Sequence, residues 1–196
     1  PKLITQLSTM NAKLFTVPNM ITCLNLIAGC MAIKHAFAAD FAGAFLFVVI
    51  AAVFDFLDGF FARILRSYSD IGKELDSLAD VVSFGAAPAF VLFHALHHAG
   101  FTGWESYLVF IVAAFSALRL AKFNLDTRQT TEFIGLPVPA NALLIVSLVY
   151  LLTMDNAGPF LFLVISPWWL IGLSVVLSFL LISEIPMFSL KFKSYG

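Results

Sequence analysis

Charge is what this sequence has least of: charged residues make up 12% of its 196 positions against 61% hydrophobic ones, and mean hydropathy is +0.96. That composition lies outside the range of soluble globular chains and predicts a protein solvated by lipid. A net charge of −1 and the lack of any lysine and arginine run interleaved with aromatics argue against nucleic acid as a partner. Cysteine is scarce too. Cys23 and Cys30 stand seven apart on one apolar segment, share a helix face and cannot bridge within it, so both are expected as buried small hydrophobes. No Pro/Gly/Ser-rich linker, internal repeat or low-complexity tract divides the chain, which predicts a single domain over residues 1–196. Apolar stretches recur along the whole length, and none precedes a small-residue cleavage site, which argues against an exported soluble protein.

Long apolar runs are abundant. Crossing the hydrocarbon layer of about 30 Å takes about 20 apolar residues. Cutting the chain at its polar breaks predicts an all-α fold of six spans: Pro18 to Ile33, Phe41 to Leu65, Leu78 to Leu96, Trp104 to Phe123, Pro139 to Leu152 and Pro167 to Ile182. Pro18 suits a first helical turn and Asp40 suits an N-cap. Residues 1–16 set Leu3, Ile4, Leu7 and Leu14 among Lys2, Gln6, Asn11 and Lys13, the cast of an amphipathic helix lying on the membrane surface ahead of a six-span core over 18–184. One end of the bundle receives Lys2, Lys13, Arg63, Arg66, Lys73, Arg119, Lys122, Arg128, Lys191 and Lys193, and the other only Lys34. This asymmetry predicts a cytoplasmic-membrane protein with both termini, and the loops after the second and fourth spans, in the cytoplasm.

Within this apolar chain, four carboxylates lie at membrane depth, where each costs at least about a few kcal/mol and calls for a partner. Asp55 and Asp58, at i and i+3, share a helix face that continues through Gly59, Ala62 and Arg63; Gly72, Asp76 and Asp80 follow at i, i+4 and i+8. Two helices joined by a short loop therefore present two carboxylate pairs to each other. Four such anions repel unless protonated or neutralised by cations, and an oxygen-only donor set with no thiol or imidazole selects hard ions such as Mg²⁺ or Mn²⁺. A carboxylate cage beside an arginine suits phosphoryl chemistry, with two metal ions bridging a diphosphate. The small residues Gly59 and Ala62 leave room for a flat group such as a nucleotide.

The spacing Asp55-x2-Asp58-Gly59-x2-Ala62-Arg63-x8-Gly72-x3-Asp76-x3-Asp80 resembles, position for position, the signature of the CDP-alcohol phosphotransferase (class I CDP-alcohol phosphatidyltransferase) family. Pro18 to Thr22, Ser77 to Gly85 with Pro88, and Gly135 to Pro139 resemble its phosphatidylserine synthase branch, so the likeness runs from about residue 18 to residue 141. The resemblance implies a membrane enzyme, frequently a homodimer, that transfers the phosphatidyl group of CDP-diacylglycerol to the hydroxyl of L-serine and releases CMP. It implies metal ligation by Asp55, Asp58, Asp76 and Asp80, with Asp80 also the general base. It further implies CDP-diacylglycerol contacts at Asp58, Gly59, Ala62, Arg63 and Gly72, and at Asn19, Thr22 and Ser69.

Plainer readings stand beside these. A buried acid cluster also suits a proton relay in an ion-coupled transporter, although a relay needs no Gly59, Ala62, Arg63 and Gly72 at those spacings. Glycerol 3-phosphate or inositol phosphate is the alternative acceptor within the family. Arg119 is a candidate acceptor contact that positive-inside bias explains equally well. His94, His97 and His98 fall at the opposite face from the carboxylates and read as an interfacial turn, and Trp104, Trp168 and Trp169 near them read as an aromatic belt. Gly135 to Pro139 either shapes the acceptor pocket or starts a helix.

Overall fold

The computed structural model describes residues 15–125, 133–154 and 166–187. Helix α1 spans Val17–Phe37 and α2 spans Phe41–Ile64. Helix α3, Asp70–Asp80, passes through a π-helical turn at Val81–Ala86 into α4, Ala87–His98. A 3₁₀ turn over Trp104–Phe110 leads into α5, Ile111–Leu125; α6 is Val138–Leu152 and α7 is Pro167–Ile182. Two-residue strands, β1 at Phe133–Ile134 and β2 at Pro186–Met187, pair antiparallel.

The helix starts follow from local chemistry. The Thr16 hydroxyl accepts from the Asn19 N–H with Pro18 in the first turn, Asp40 accepts from the Gly43 N–H, and Ser69 accepts from the Gly72 N–H. Each satisfies one of the orphan donors of a helix start. Four stretches are long and apolar enough to cross a membrane, namely Val17–Phe37, Phe41–Ile64, Asp70–His98 and Trp104–Leu125, so the chain is an integral membrane protein. Helices α6 and α7, at 15 and 16 residues, are apolar but shorter. The surface helix expected over residues 1–16 lies almost wholly outside the described residues.

The third span differs from expectation by starting at Asp70 instead of Leu78. Counting apolar residues cuts off its polar first turns, whereas the Ser69 cap begins the helix eight residues earlier. At 29 residues it runs about 43 Å, longer than the hydrocarbon layer, so the turns carrying Asp70 and Lys73 project past it.

In lipid no hydrophobic force separates helix from tail, so close approach of small residues holds the bundle. The inward stripe of α1 is Asn19, Thr22, Asn25, Ala28, Gly29, Ala32 and Ala36; Ala44, Val48, Ala51 and Asp58 form that of α2. A Cβ on Gly29 would collide with Ser83 in the π turn, so α1 seats directly against that turn. Cys23 on α1 is half-buried and Cys30 exposed, so the expectation that both are buried fails for Cys30: their shared face looks outward, opposite the small-residue stripe.

Gly135 takes a left-handed φ of 78°, and a Cβ there would stand 2.8 Å from the Leu181 carbonyl oxygen. Its N–H donates to the Ile185 carbonyl and that of Leu136 to the Leu180 carbonyl, which ties this turn to the end of α7, while Pro137 caps α6 and Pro139 enters its first turn. The Gly135 to Pro139 segment thus starts a helix.

Candidate metal centre and active site

The last turns of α2 and the first three of α3 face each other at one end of the bundle. Asp55 on α2 and Asp76 and Asp80 on α3 converge so that one carboxylate oxygen from each lies within 4.8 Å of the other two. Asp58, buried on the same face of α2, accepts a 2.7 Å hydrogen bond from the Thr22 hydroxyl. Asp80 accepts from the Asn25 amide at 3.2 Å, and the Ser83 hydroxyl donates to the Asn25 carbonyl at 3.0 Å. The π turn begins immediately after Asp80. Such turns recur at functional sites because they re-aim the residues beside them.

This donor set fits a hard divalent cation. It is all oxygen, it gathers three carboxylates where anions would otherwise repel, and Asp76 Oδ1 is buried with no hydrogen-bond partner among the described residues. A lone pair buried without a partner is costly, and a cation is the partner that a carboxylate accepts best.

Beside the cluster opens a cavity of about 520 Å³, lined among others by Asn19, Thr22, Asp58, Gly59, Ala62, Ser69, Gly72 and Asp76. The CDP-diacylglycerol contacts expected from sequence therefore line one space, with one exception. The Arg63 side chain folds back along α2, its Nε donating to the Gly59 carbonyl at 3.0 Å, and Arg63 is not among the lining residues. Gly72 is small for a reason: a Cβ there would stand 2.9 Å from Asn19 Oδ1 and 3.0 Å from Ser69 Oγ. The chain enters the loop at Arg66 with a left-handed φ of 50°, and the Ser67 N–H donates back to the Ala62 carbonyl, which turns Ser67 to Ser69 toward the cavity.

Arg119 on α5 is buried, at 8% exposure. Gly85 packs on Ser116 and Ser77 bonds Asn124, eight residues apart on each antiparallel helix, which puts Arg119 near the level of Asp80. Its guanidinium carbon lies 5.8 Å from the Phe123 ring centre. Its Nε has no hydrogen-bond partner among the described residues.

Sequence reasoning missed Asn25 and Ser83, which are tied to Asp80, and Ser67 and Lys73, which are among the lining residues of the cavity. Asn25 carried a signal, since Asn19, Thr22 and Asn25 form a polar stripe at three-residue spacing inside an apolar helix.

A helical membrane protein with this acid cluster beside this cavity has a counterpart among known families. Residues 15–180 match the family model for CDP-alcohol phosphatidyltransferases, and the chain belongs to that family. It is similar to three proteins named CDP-diacylglycerol--serine O-phosphatidyltransferase. The Mycobacterium leprae (strain TN) protein is 37% identical over 87% of this chain and 57% of its own length. The Helicobacter pylori (strain J99) protein is 39% identical over 76% of this chain and 62% of its own length. The Bacillus subtilis (strain 168) protein is 38% identical over 72% of this chain and 82% of its own length.

Proposed function

We propose that this protein is a phosphatidylserine synthase: an enzyme of phospholipid biosynthesis that transfers the phosphatidyl group of CDP-diacylglycerol to the hydroxyl of L-serine, giving phosphatidylserine and CMP. The observation that carries this reading is the convergence of Asp55, Asp76 and Asp80 beside a cavity lined by Asp58, Gly59, Ala62 and Gly72 of the same signature. The shared name of the similar proteins supports serine as acceptor.

In this reading Asp55, Asp58, Asp76 and Asp80 hold two Mg²⁺ or Mn²⁺ ions, Asp58 being aimed by Thr22 and Asp80 by Asn25. The bound ions supply charge stabilisation on the diphosphate and its leaving oxygen. Gly59, Ala62, Asn19, Thr22, Ser69 and Gly72 accommodate the CDP moiety, and Arg63 reaches a phosphate by swinging off the Gly59 carbonyl. Asp80 takes the proton of the serine hydroxyl. The serine oxygen bonds to the phosphorus that bears diacylglycerol, and the bond from that phosphorus to the CMP oxygen breaks. Arg119, buried on α5 near the level of Asp80, pairs with the serine carboxylate.

Six spans, a surface helix over residues 1–16, a single domain over 1–196, both termini in the cytoplasm and a homodimer complete the proposal. Arg63, Arg66, Lys73, Arg119 and Lys122 at the carboxylate end, against Lys34 at the other, support a cytoplasmic site, which water-soluble serine and CMP require.

The test is CMP release by detergent-purified protein given CDP-diacylglycerol and Mn²⁺ or Mg²⁺, with serine, glycerol 3-phosphate or inositol phosphate supplied separately. Serine-dependent release is the expected result. Release with another acceptor moves the substrate within the family, and none with any acceptor contradicts the transferase reading in favour of a transporter.

A further inference from the structure

We infer that Lys73 is a cation through which the cavity, beside the metal ions and Arg63, holds the phosphates of its ligand, an assignment that rests on the reading of this cavity as the CDP site. Three acids line the cavity, Asp58, Asp70 and Asp76, and Lys73 is the one basic side chain among the lining residues described. A nucleoside diphosphate entering such a space meets repulsion that the lining must offset. Lys73 is set for this. It follows Gly72 directly and precedes Asp76 by three residues, so it shares that face of α3. It makes no ion pair with any described acid.

Its ammonium is positioned by a closed circuit between α3 and α5. Lys73 Nζ donates to the Asn124 carbonyl at 3.0 Å, the Asn124 amide donates to the Ser77 hydroxyl at 2.8 Å, and that hydroxyl donates to the Lys73 carbonyl at 3.2 Å. The Asn124 carbonyl belongs to the last turn of α5, where the helix dipole favours a cation. A lysine ammonium carries three donors, and Asn124 occupies one, so two remain for an anion in the cavity. Arg63, with Nε bound to the Gly59 carbonyl, must move to contribute.

The experiment compares CDP with cytidine, each titrated calorimetrically into purified protein with Mn²⁺, for wild type, Lys73→Gln, Lys73→Arg and the remote control Lys122→Gln. Lys73→Gln is expected to weaken CDP binding by about tenfold or more, the scale of a charge-assisted hydrogen bond, and to leave cytidine binding unchanged. Lys73→Arg and Lys122→Gln are expected to stay within about threefold of wild type for CDP, since both keep a cavity cation. Retained cytidine binding shows that the variant is folded. Three results overturn the inference: CDP binding by Lys73→Gln equal to wild type, equal loss of CDP and cytidine, or wild type binding CDP no tighter than cytidine. Serine-dependent CMP release in wild type, measured in parallel, separates the two ideas. If CDP binding depends on Lys73 while no acceptor yields CMP, the transfer reading fails and the Lys73 assignment stands. If serine yields CMP while CDP binding is indifferent to Lys73, the transfer reading stands and the Lys73 assignment fails.

Discussion

The two ends of the bundle both carry titratable groups, and they treat them oppositely. At the end away from the carboxylates, His35 Nδ1 meets Asp40 Oδ2 at 2.7 Å, Asp40 accepts from the Gly43 N–H, and His97 pairs with the Ser106 hydroxyl at 3.1 Å. The rings of His35, His94 and His97 pack on Phe47, Phe37 and Phe93, although His94 Nε2 is buried without a hydrogen-bond partner among the described residues. These polar groups close helix ends and fill an aromatic interface. At the carboxylate end, by contrast, Asp76 Oδ1, Asn25 Oδ1, Ser67 Oγ and Arg119 Nε are buried with no hydrogen-bond partner among the described residues, and the three converging acids make no ion pair with any described base. A polar group that has its partner within the fold is architecture. Groups that lack one at the wall of a cavity, as Asp76 Oδ1 and Ser67 Oγ do, are placed to meet a ligand.

The sharpest way to break this contrast is to neutralise the acids. Asp80→Asn is expected to lower kcat by about 10²–10⁴-fold in the CMP-release assay, the span of a lost general base, with the melting temperature kept or raised because a buried charge is removed. A turnover within twofold of wild type would make Asp80 architectural. Thr22→Val, which removes the hydroxyl that aims Asp58, is expected to cost about 10–100-fold in activity or Mn²⁺ affinity. Arg119→Gln should raise the KM for serine by about tenfold and leave the KM for CDP-diacylglycerol unchanged; a change confined to the lipid substrate would remove Arg119 from the acceptor side. Gly29→Ala drives a methyl into Ser83 and should destabilise the bundle by about 1–3 kcal/mol, read as a fall in melting temperature.

The smallest effect belongs to the other end. The Gly43 N–H, and after it His35, hold the exposed Asp40 carboxyl below its ordinary range. A lowered folded pKa gives stability that is present above the unfolded value and is lost as pH falls through the folded one. Asp40→Ala should therefore lower the melting temperature slightly at neutral pH, erase that acid-side loss and leave activity intact.

How much of this was legible in the chain depends on what each feature rests on. The carboxylate signature is a matter of spacing on helices, so the convergence of Asp55, Asp76 and Asp80 follows from their positions, as does the grouping of Gly59, Ala62 and Gly72 on one cavity. The Asp40 cap was readable from one residue type in the right place. Tertiary choices were not. The π turn at Val81–Ala86 exists where Gly29 lets α1 approach Ser83, a fit between residues more than fifty positions apart. Which cations border the cavity is a question of side-chain direction: spacing names Arg63, whose Nε is turned back to the Gly59 carbonyl, and does not single out Lys73, which is among the lining residues. In the sequence Arg119 reads as an interfacial residue or an acceptor contact with equal force, and only its burial on α5 near the level of Asp80 lends support to the second.

The most direct test of the contrast is Mn²⁺ binding followed by electron paramagnetic resonance on purified protein, comparing wild type, Asp76→Asn and a variant with His94, His97 and His98 replaced by Gln. Wild type and the histidine variant are expected to quench the signal of free Mn²⁺, and Asp76→Asn to lose most of this binding. Binding that survives Asp76→Asn and disappears with the histidines would contradict this, placing the cation at the other end of the bundle.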